Sequence, residues 1–184
     1  MVYNLGLEAD GYFKLTFWLY DDAGTRTYGD VRSYSGTGFN DGSVQQVFAV
    51  GKYQIPFGTP TGIFASEVVD TSLYQGRILT GPDSGWFNLP GVTRTPNAWV
   101  KFDLERLNDG TVNFYVNDTL SRSVSSPIFY EVDSVLLGSV RAGATSTVGY
   151  FDDVVVTIPE PSTFAMIVVA GLALGAKTAR RKLA

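Results

Sequence analysis

The chain has 184 residues, 45% of them hydrophobic and 14% aromatic, with no cysteine and no histidine. That composition excludes disulfides, thiolate chemistry, histidine metal centres and any Ser-His-Asp triad. Ten of the 14 Lys and Arg and seventeen of the 18 Asp and Glu lie in residues 1–158, a net charge of −7 that makes this part a poor partner for nucleic-acid backbones.

Met1–Asp10 (MVYNLGLEAD) has neither the charged n-region nor the apolar h-region of a signal peptide, and it reads like the middle of a domain. The expectation is that a signal peptide and a first strand are missing upstream. Turn residues then punctuate the chain, with β-branched and aromatic runs between them. Tyr12–Tyr20, Val44–Tyr53, Gly62–Val69 and Leu73–Leu79 read as strands. In Trp99–Leu107 the residues Val100, Phe102 and Leu104 alternate with Lys101, Asp103 and Glu105, the period of a half-buried strand. Asn108-Asp109-Gly110 predicts a hairpin turn, Val112, Phe114 and Val116 form one face of the return strand, and Asn117-Asp118 offers the next turn. Val132–Val140 and Tyr150–Ile158 complete about nine strands. No window before the last 26 residues has a helical period, so residues 1–158 are expected to be an all-β, antiparallel two-sheet sandwich. A jelly roll is favoured, with an immunoglobulin-like sandwich as the alternative.

The words AWVKFDLERLNDGTVNFYVNDTL and GYFDDVVVTI carry a likeness. They resemble the concanavalin A-like, laminin-G-type jelly roll, in which a strand after a tryptophan leads through a glycine turn to a "fyv(D/N)" strand and the last strand bears paired aspartates. The resemblance implies a fold that serves lectins, glycosidases, adhesion modules and spacers alike, so function has to be argued from the site.

After Ile158 the character of the chain changes. Pro159, Glu160 and Pro161 interrupt any regular structure, since proline fixes φ and lacks a backbone donor. Residues 162–176 carry no charge, and Lys177, Arg180, Arg181 and Lys182 close the chain. As a helix, that uncharged stretch would be roughly 22 Å long, short of a ~30 Å hydrocarbon core unless flanking cations snorkel or the bilayer thins. The cations predict that residues 177–184 stay in the cytoplasm with the body outside. The three parts in this order resemble the PEP-CTERM sorting signal of Gram-negative bacteria, also catalogued as an ice-binding-protein C-terminal domain. That resemblance implies an exosortase-type membrane transpeptidase as partner, reading Pro159, Glu160 and Pro161. It further implies residence in the bacterial inner membrane before processing, with the body on the periplasmic side, then at the cell surface or in the extracellular matrix. The expected role is that of a non-enzymatic exported protein associated with exopolysaccharide or biofilm. The alternatives are a lectin-like carbohydrate-binding module and, behind it, a jelly-roll glycosidase.

Candidate sites inside the body are few. Glycosidases of this fold align carboxylates along one strand, two of them ~5–5.5 Å apart in retaining enzymes. Glu131-Val-Asp133-Ser-Val-Leu136 has leucine where the third carboxylate would stand, and Glu8/Asp10 and Asp103/Glu105 are incomplete as well. No catalytic residue is assigned, and no cofactor is expected beyond Ca²⁺. For that ion Asp152 and Asp153 are the candidate ligands, provided a bulge turns both to one side. Tyr12, Tyr74, Trp86 and Tyr115 are the aromatics expected to face outward as a carbohydrate platform, which in a jelly roll is usually the concave sheet. The threonines show no regular array, so ice binding is not expected.

Overall fold

The computed structural model describes residues 2–9, 11–22, 24, 26–36, 42–80, 82–126, 128, 130, 132–138 and 149–158. The sorting-signal residues Pro159, Glu160 and Pro161, the uncharged stretch 162–176 and the cations from Lys177 to Lys182 lie outside the described residues. So do Asp10 and Glu131. No helix among the described residues is long and apolar enough to cross a membrane.

Two antiparallel sheets carry the fold. The first has six strands: β1 (Val2–Ala9), β3 (Arg26–Tyr34), β4 (Val44–Tyr53), β5 (Leu73–Leu79), β6 (Gly85–Thr93) and β10 (Val132–Gly138), in the spatial order β1-β10-β3-β4-β5-β6. The second has five: β2 (Phe13–Tyr20), β7 (Trp99–Arg106), β8 (Thr111–Val116), β9 (Thr119–Ser125) and β11 (Tyr150–Thr157), in the order β11-β2-β7-β8-β9. Two sheets of this size, with β10 crossing back between β1 and β3, give a jelly roll rather than the seven to nine strands of an immunoglobulin sandwich.

Alternation places the core. In β2 the residues Phe13, Leu15, Phe17 and Leu19 point inward, while Lys14, Thr16, Trp18 and Tyr20 point away. Phe102 and Leu104 on β7 and Phe114 and Val116 on β8 continue that inner face, and Val31, Phe48, Val50, Tyr74, Ile78 and Phe87 meet it from the other sheet. Phe17 packs on Phe102 with ring centroids 5.5 Å apart, and Phe87 meets Phe114 edge-on at 5.1 Å. Each such ring contributes about 1.5–3 kcal/mol by leaving water. Gly76 lets the sheets approach this closely: a Cβ there would stand 2.5 Å from Cε2 of Phe87 and 3.1 Å from Cδ1 of Phe114.

A buried ionic network clamps the sheets at one end. Asp21, just after β2, accepts hydrogen bonds from Lys52 Nζ (3.2 Å), Arg94 Nε (2.6 Å), Arg94 Nη2 (2.7 Å) and the Tyr74 hydroxyl (3.3 Å). Lys52, wholly buried on β4, also donates to Asp22 at 2.6 Å. Burial works to raise the Asp21 carboxyl, but the bonds from Arg94 and Lys52 together outweigh it and hold the group below its ordinary value.

The hairpins expected from the sequence are present. Asn117 and Asp118 take φ of 49° and 61°, the pair of positive values that a two-residue β8–β9 turn demands. The segment 62–69 is a correction. It forms a 3-10 turn (Gly62–Phe64) and a loop, with Phe64 buried and Ile63 and Val68 exposed. The amides of Ile63, Phe64, Ala65 and Glu67 bond locally or to a side chain, Phe64 N to Thr61 O and Ile63 N to Asp83 Oδ1, rather than to a neighbouring strand. Strands β1, β3 and β6 were not expected; with 62–69 lost and these three gained, the strand number goes from about nine to eleven among the described residues.

Candidate functional site

The outward face of the six-stranded sheet is built from the alternate residues that the core does not use. On β3 these are Arg26, Tyr28, Asp30, Arg32 and Tyr34; on β4, Val47, Ala49, Gly51 and Tyr53; on β5, Arg77 and Leu79; on β6, Trp86. Register aligns them in rows, one running Asp30–Ala49–Arg77–Trp86 and the next Tyr28–Gly51. The small residues in the middle strand leave a trough between larger walls. Gly51 is required there: its φ is +148°, and a Cβ would come within 2.7 Å of the Tyr28 Cα.

The trough opens as two adjoining cavities of about 300 and 210 Å³ that share Tyr53, Arg77, Leu79 and Trp86. Their combined size falls in the usual range for a small-ligand cleft, about 300–1,000 Å³. The first also takes in Arg26, Tyr28 and Arg32, and the second extends over Gly58, Thr59 and Pro60.

Aromatic stacking makes the floor rigid. Tyr53 and Trp86 lie face to face, centroids 3.9 Å apart and planes within 7°. Phe57 stacks on Tyr53 at 6.4 Å, and Tyr28 meets Trp86 edge-on at 5.1 Å. Arginines sit on these rings. The Arg26 guanidinium is 5.2 Å from the Tyr53 centroid and donates to the Tyr28 hydroxyl at 3.2 Å, and Arg77 is 5.6 Å from the Trp86 centroid. Arg32 is held differently, by a two-pronged bond to Asp30 (2.9 and 2.7 Å). Burial pushes the Asp30 carboxyl up while Arg32 pulls it down, and Asp30 in turn raises the guanidinium of Arg32 against its own burial. Arg77 makes no hydrogen bond or ion pair among the described residues, and burial lowers its pKa from the ordinary value.

The four aromatics proposed from the sequence fall in three places. Trp86 does line the trough, though only 6% exposed because its faces are covered. Tyr74 is a correction: at 1% exposure it is core, edge-on to Phe102 at 5.1 Å with its hydroxyl in the Asp21 network, because β5 turns it to the inner face. Tyr12 and Tyr115 belong to the outer face of the other sheet, where both hydroxyls donate to Glu105 (3.1 and 3.2 Å). Burial first, and then Glu105, raise both phenols. They form no common platform with Trp86.

A bulge does occur at the aspartate pair: register slips between Asp152 and Val155, and Asp153 takes φ of 45°. Asp152 spends an oxygen on the Asp153 amide at 2.9 Å. No group of three or more metal-ligating residues occurs among the described residues, so the pair gains no third ligand there. Asp133 accepts from the Tyr34 amide at 3.2 Å, a structural contact. The trough residues Arg26, Tyr28, Arg32, Tyr53 and Arg77 were missed. The signal was present in Arg26-x-Tyr28-x-Asp30-x-Arg32, an alternation of charged and aromatic residues that becomes a surface once the segment is read as a strand.

No protein-family model matches the chain, and a comparison with curated proteins gives no match. Among solved structures the chain is similar to a heptameric SAP-like pentraxin from Limulus polyphemus, with 11% identity and a TM-score of 0.52 over 82% of this chain and 65% of that one. It is also similar to an alginate lyase from Pseudomonas aeruginosa (12%, TM-score 0.47, 82% and 65%) and to a homodimeric agglutinin from chicken liver (8%, TM-score 0.44, 85% and 98%). The chain spans 65% of the length of the pentraxin and of the lyase. At these identities the likeness concerns the fold alone. What the likeness and the strand order define is the fold, a jelly-roll β-sandwich of two antiparallel sheets.

Proposed function

We propose that the body is a carbohydrate-binding, lectin-like module without catalytic activity, and that the trough on the outward face of the six-stranded sheet is its binding site. The observation that carries this reading is the trough itself, an elongated and rigid depression whose walls offer phenol hydroxyls and guanidinium forks. Pre-organised donors of this kind bind hydroxyl-rich ligands at little ordering cost. The absence of catalysis is supported by the acid inventory. Neither cavity is lined by a carboxylate, and the nearest one in register, Asp30, is held by Arg32. A screen of the full-length chain against immobilised polysaccharides tests both halves: retention without release of reducing ends is expected. No retention refutes the binding site, and reducing-end release that Arg77→Gln abolishes refutes the lack of catalysis.

The handling of the chain follows from its C-terminal residues. Pro159-Glu160-Pro161 is the processing motif for an exosortase-type enzyme, and residues 162–176 with the cations of 177–184 are the transient inner-membrane anchor. The body is delivered to the cell surface or the matrix, where exopolysaccharide is at hand. With a signal peptide supplied, Glu160→Ala should leave full-length protein in the membrane fraction, and normal maturation of that variant would remove the motif assignment.

A further inference from the structure

We infer that the trough selects an acidic glycan, whose carboxylate or sulfate is taken by Arg77 with Arg26 beside it. This rests on the carbohydrate reading above and narrows it to a ligand class. A neutral sugar site commonly gives a pyranose ring an open aromatic face. Here the faces are spent: Tyr53 and Trp86 cover one another at 3.9 Å, Phe57 and the arginines cover what remains, and the two rings are only 9% and 6% exposed. What lines the trough beside the covered rings are the guanidinium groups of Arg26 and Arg77, 5.2 and 5.6 Å from the Tyr53 and Trp86 centroids, and guanidinium is the group suited to two-pronged binding of an anion.

Charge counting points the same way. Three arginines line the first cavity and no acid does; Asp30 bonds Arg32 and acts on Arg77 only through space, so the guanidinium of Arg77 has no direct ion pair among the described residues. Arg77 sits half-buried in the middle of the sheet, opposite Ala49 on one side and Trp86 on the other, so water serves its charge poorly. An incoming anion would supply the missing partner. The body as a whole carries −7 and repels polyanions, so affinity for one has to originate at this site.

The test titrates the full-length chain with oligogalacturonate, with its carboxyl-reduced neutral counterpart, and with an oligosaccharide of a sulfated galactan. The expected result is binding of an acidic oligomer at least tenfold tighter than the neutral one, weakened about 10- to 150-fold by Arg77→Gln, the loss of a charge-assisted hydrogen bond or two. Which acidic oligomer binds assigns carboxylate or sulfate. Arg77→Lys, which keeps charge and stem but loses the fork, should fall in between, and it preserves the test if Arg77→Gln does not fold. Equal binding of acidic and neutral oligomers overturns the acidic class and leaves the carbohydrate reading standing. Binding of no oligomer overturns both. Acidic binding unchanged in both Arg77 variants, with melting curves like the parent's, moves the site elsewhere and overturns the assignment.

Discussion

The ionic clamp at the end of the sandwich makes an asymmetric prediction. Asp21 receives four side-chain hydrogen bonds, from Lys52, twice from Arg94 and from Tyr74, whereas Lys52 gives only two. Asp21→Asn therefore takes the shared carboxylate from two cations at once, leaving Lys52 with Asp22 and Arg94 with Gln54 and the Gly24 carbonyl, while Lys52→Met removes one cation and leaves Asp21 with Arg94 and Asp22 with the Gly24 amide. Removing one side of a buried pair costs about 3–5 kcal/mol when the other charge is left alone, and the lower end of that range is expected for Asp21→Asn because both cations keep an acceptor. For Lys52→Met about 1–3 kcal/mol is expected, since the carboxylates keep other donors. In a domain of this size the first loss lowers the melting midpoint by roughly 6–20 °C. Urea denaturation of the parent and both variants at pH 7 decides it. A Lys52→Met variant as damaged as Asp21→Asn, or an Asp21→Asn variant within about 1 kcal/mol of the parent, would refute the reasoning.

Acid sharpens the same test. The folded-state pKa of Asp21 lies below its unfolded value, so its contribution is complete above the unfolded value of about 3.9 and is lost as pH falls through the folded one. The stability gap between parent and Asp21→Asn should thus be constant from pH 7 to about 5 and close below about 4. Against burial and the charge of Asp21, the bonds from Lys52 and the Gly24 amide lower Asp22 as well, so its own slope differs between the two proteins and adds to the comparison.

Other changes have simpler expectations. Gly76→Ala drives a methyl into the Phe87 and Phe114 rings and should cost about 1–3 kcal/mol, read as a lower denaturation midpoint with an unchanged m-value. Asn117→Val places a β-branched residue at φ of 49° and removes the side-chain acceptor of the Lys101 amide, a loss of about 1–3 kcal/mol visible in a circular dichroism melt. Raising salt should weaken the binding of an acidic oligosaccharide less than counterion release from a basic surface would, because screening also removes repulsion by the −7 body; a steep loss of affinity would point to exposed cations outside the trough.

What the sequence disclosed depended on whether inside and outside differ in polarity. The β7–β8–β9 meander was legible because Val100, Phe102 and Leu104 face the core while the charged Lys101, Asp103 and Glu105 take the opposite face, and because Asn and Asp mark the turns. β3 was not: its outward residues Arg26, Tyr28, Asp30 and Arg32 are largely buried under one another, and its inward row includes Thr27, Gly29 and Ser33, so neither face looks apolar. The segment 62–69 erred in the other direction, since its Ile, Phe and Val content suggested a strand although only Phe64 finds a place in the core. Of the trough, Trp86 alone was anticipated. Arg26, Tyr53 and Arg77 come together only through the register of β3, β4 and β5, which local pattern does not specify.

The clamp and the trough are two of the charged clusters among the described residues, and their stoichiometry separates their roles. At the clamp, Lys52 and Arg94 are matched by Asp21 and Asp22, and every group is satisfied from within. Such a set is closed: it fixes how the sheets sit and asks nothing of solvent or ligand. In the trough, Arg26, Arg32 and Arg77 stand with Asp30 as the neighbouring carboxylate, on a face that opens outward and on a body otherwise negative. Selection for stability alone gains little from a half-buried arginine whose one neighbouring acid, Asp30, is bonded to Arg32, since an apolar residue of similar volume would pack there at no electrostatic cost. The excess of positive charge is intelligible as half of a pair whose other member arrives with the ligand.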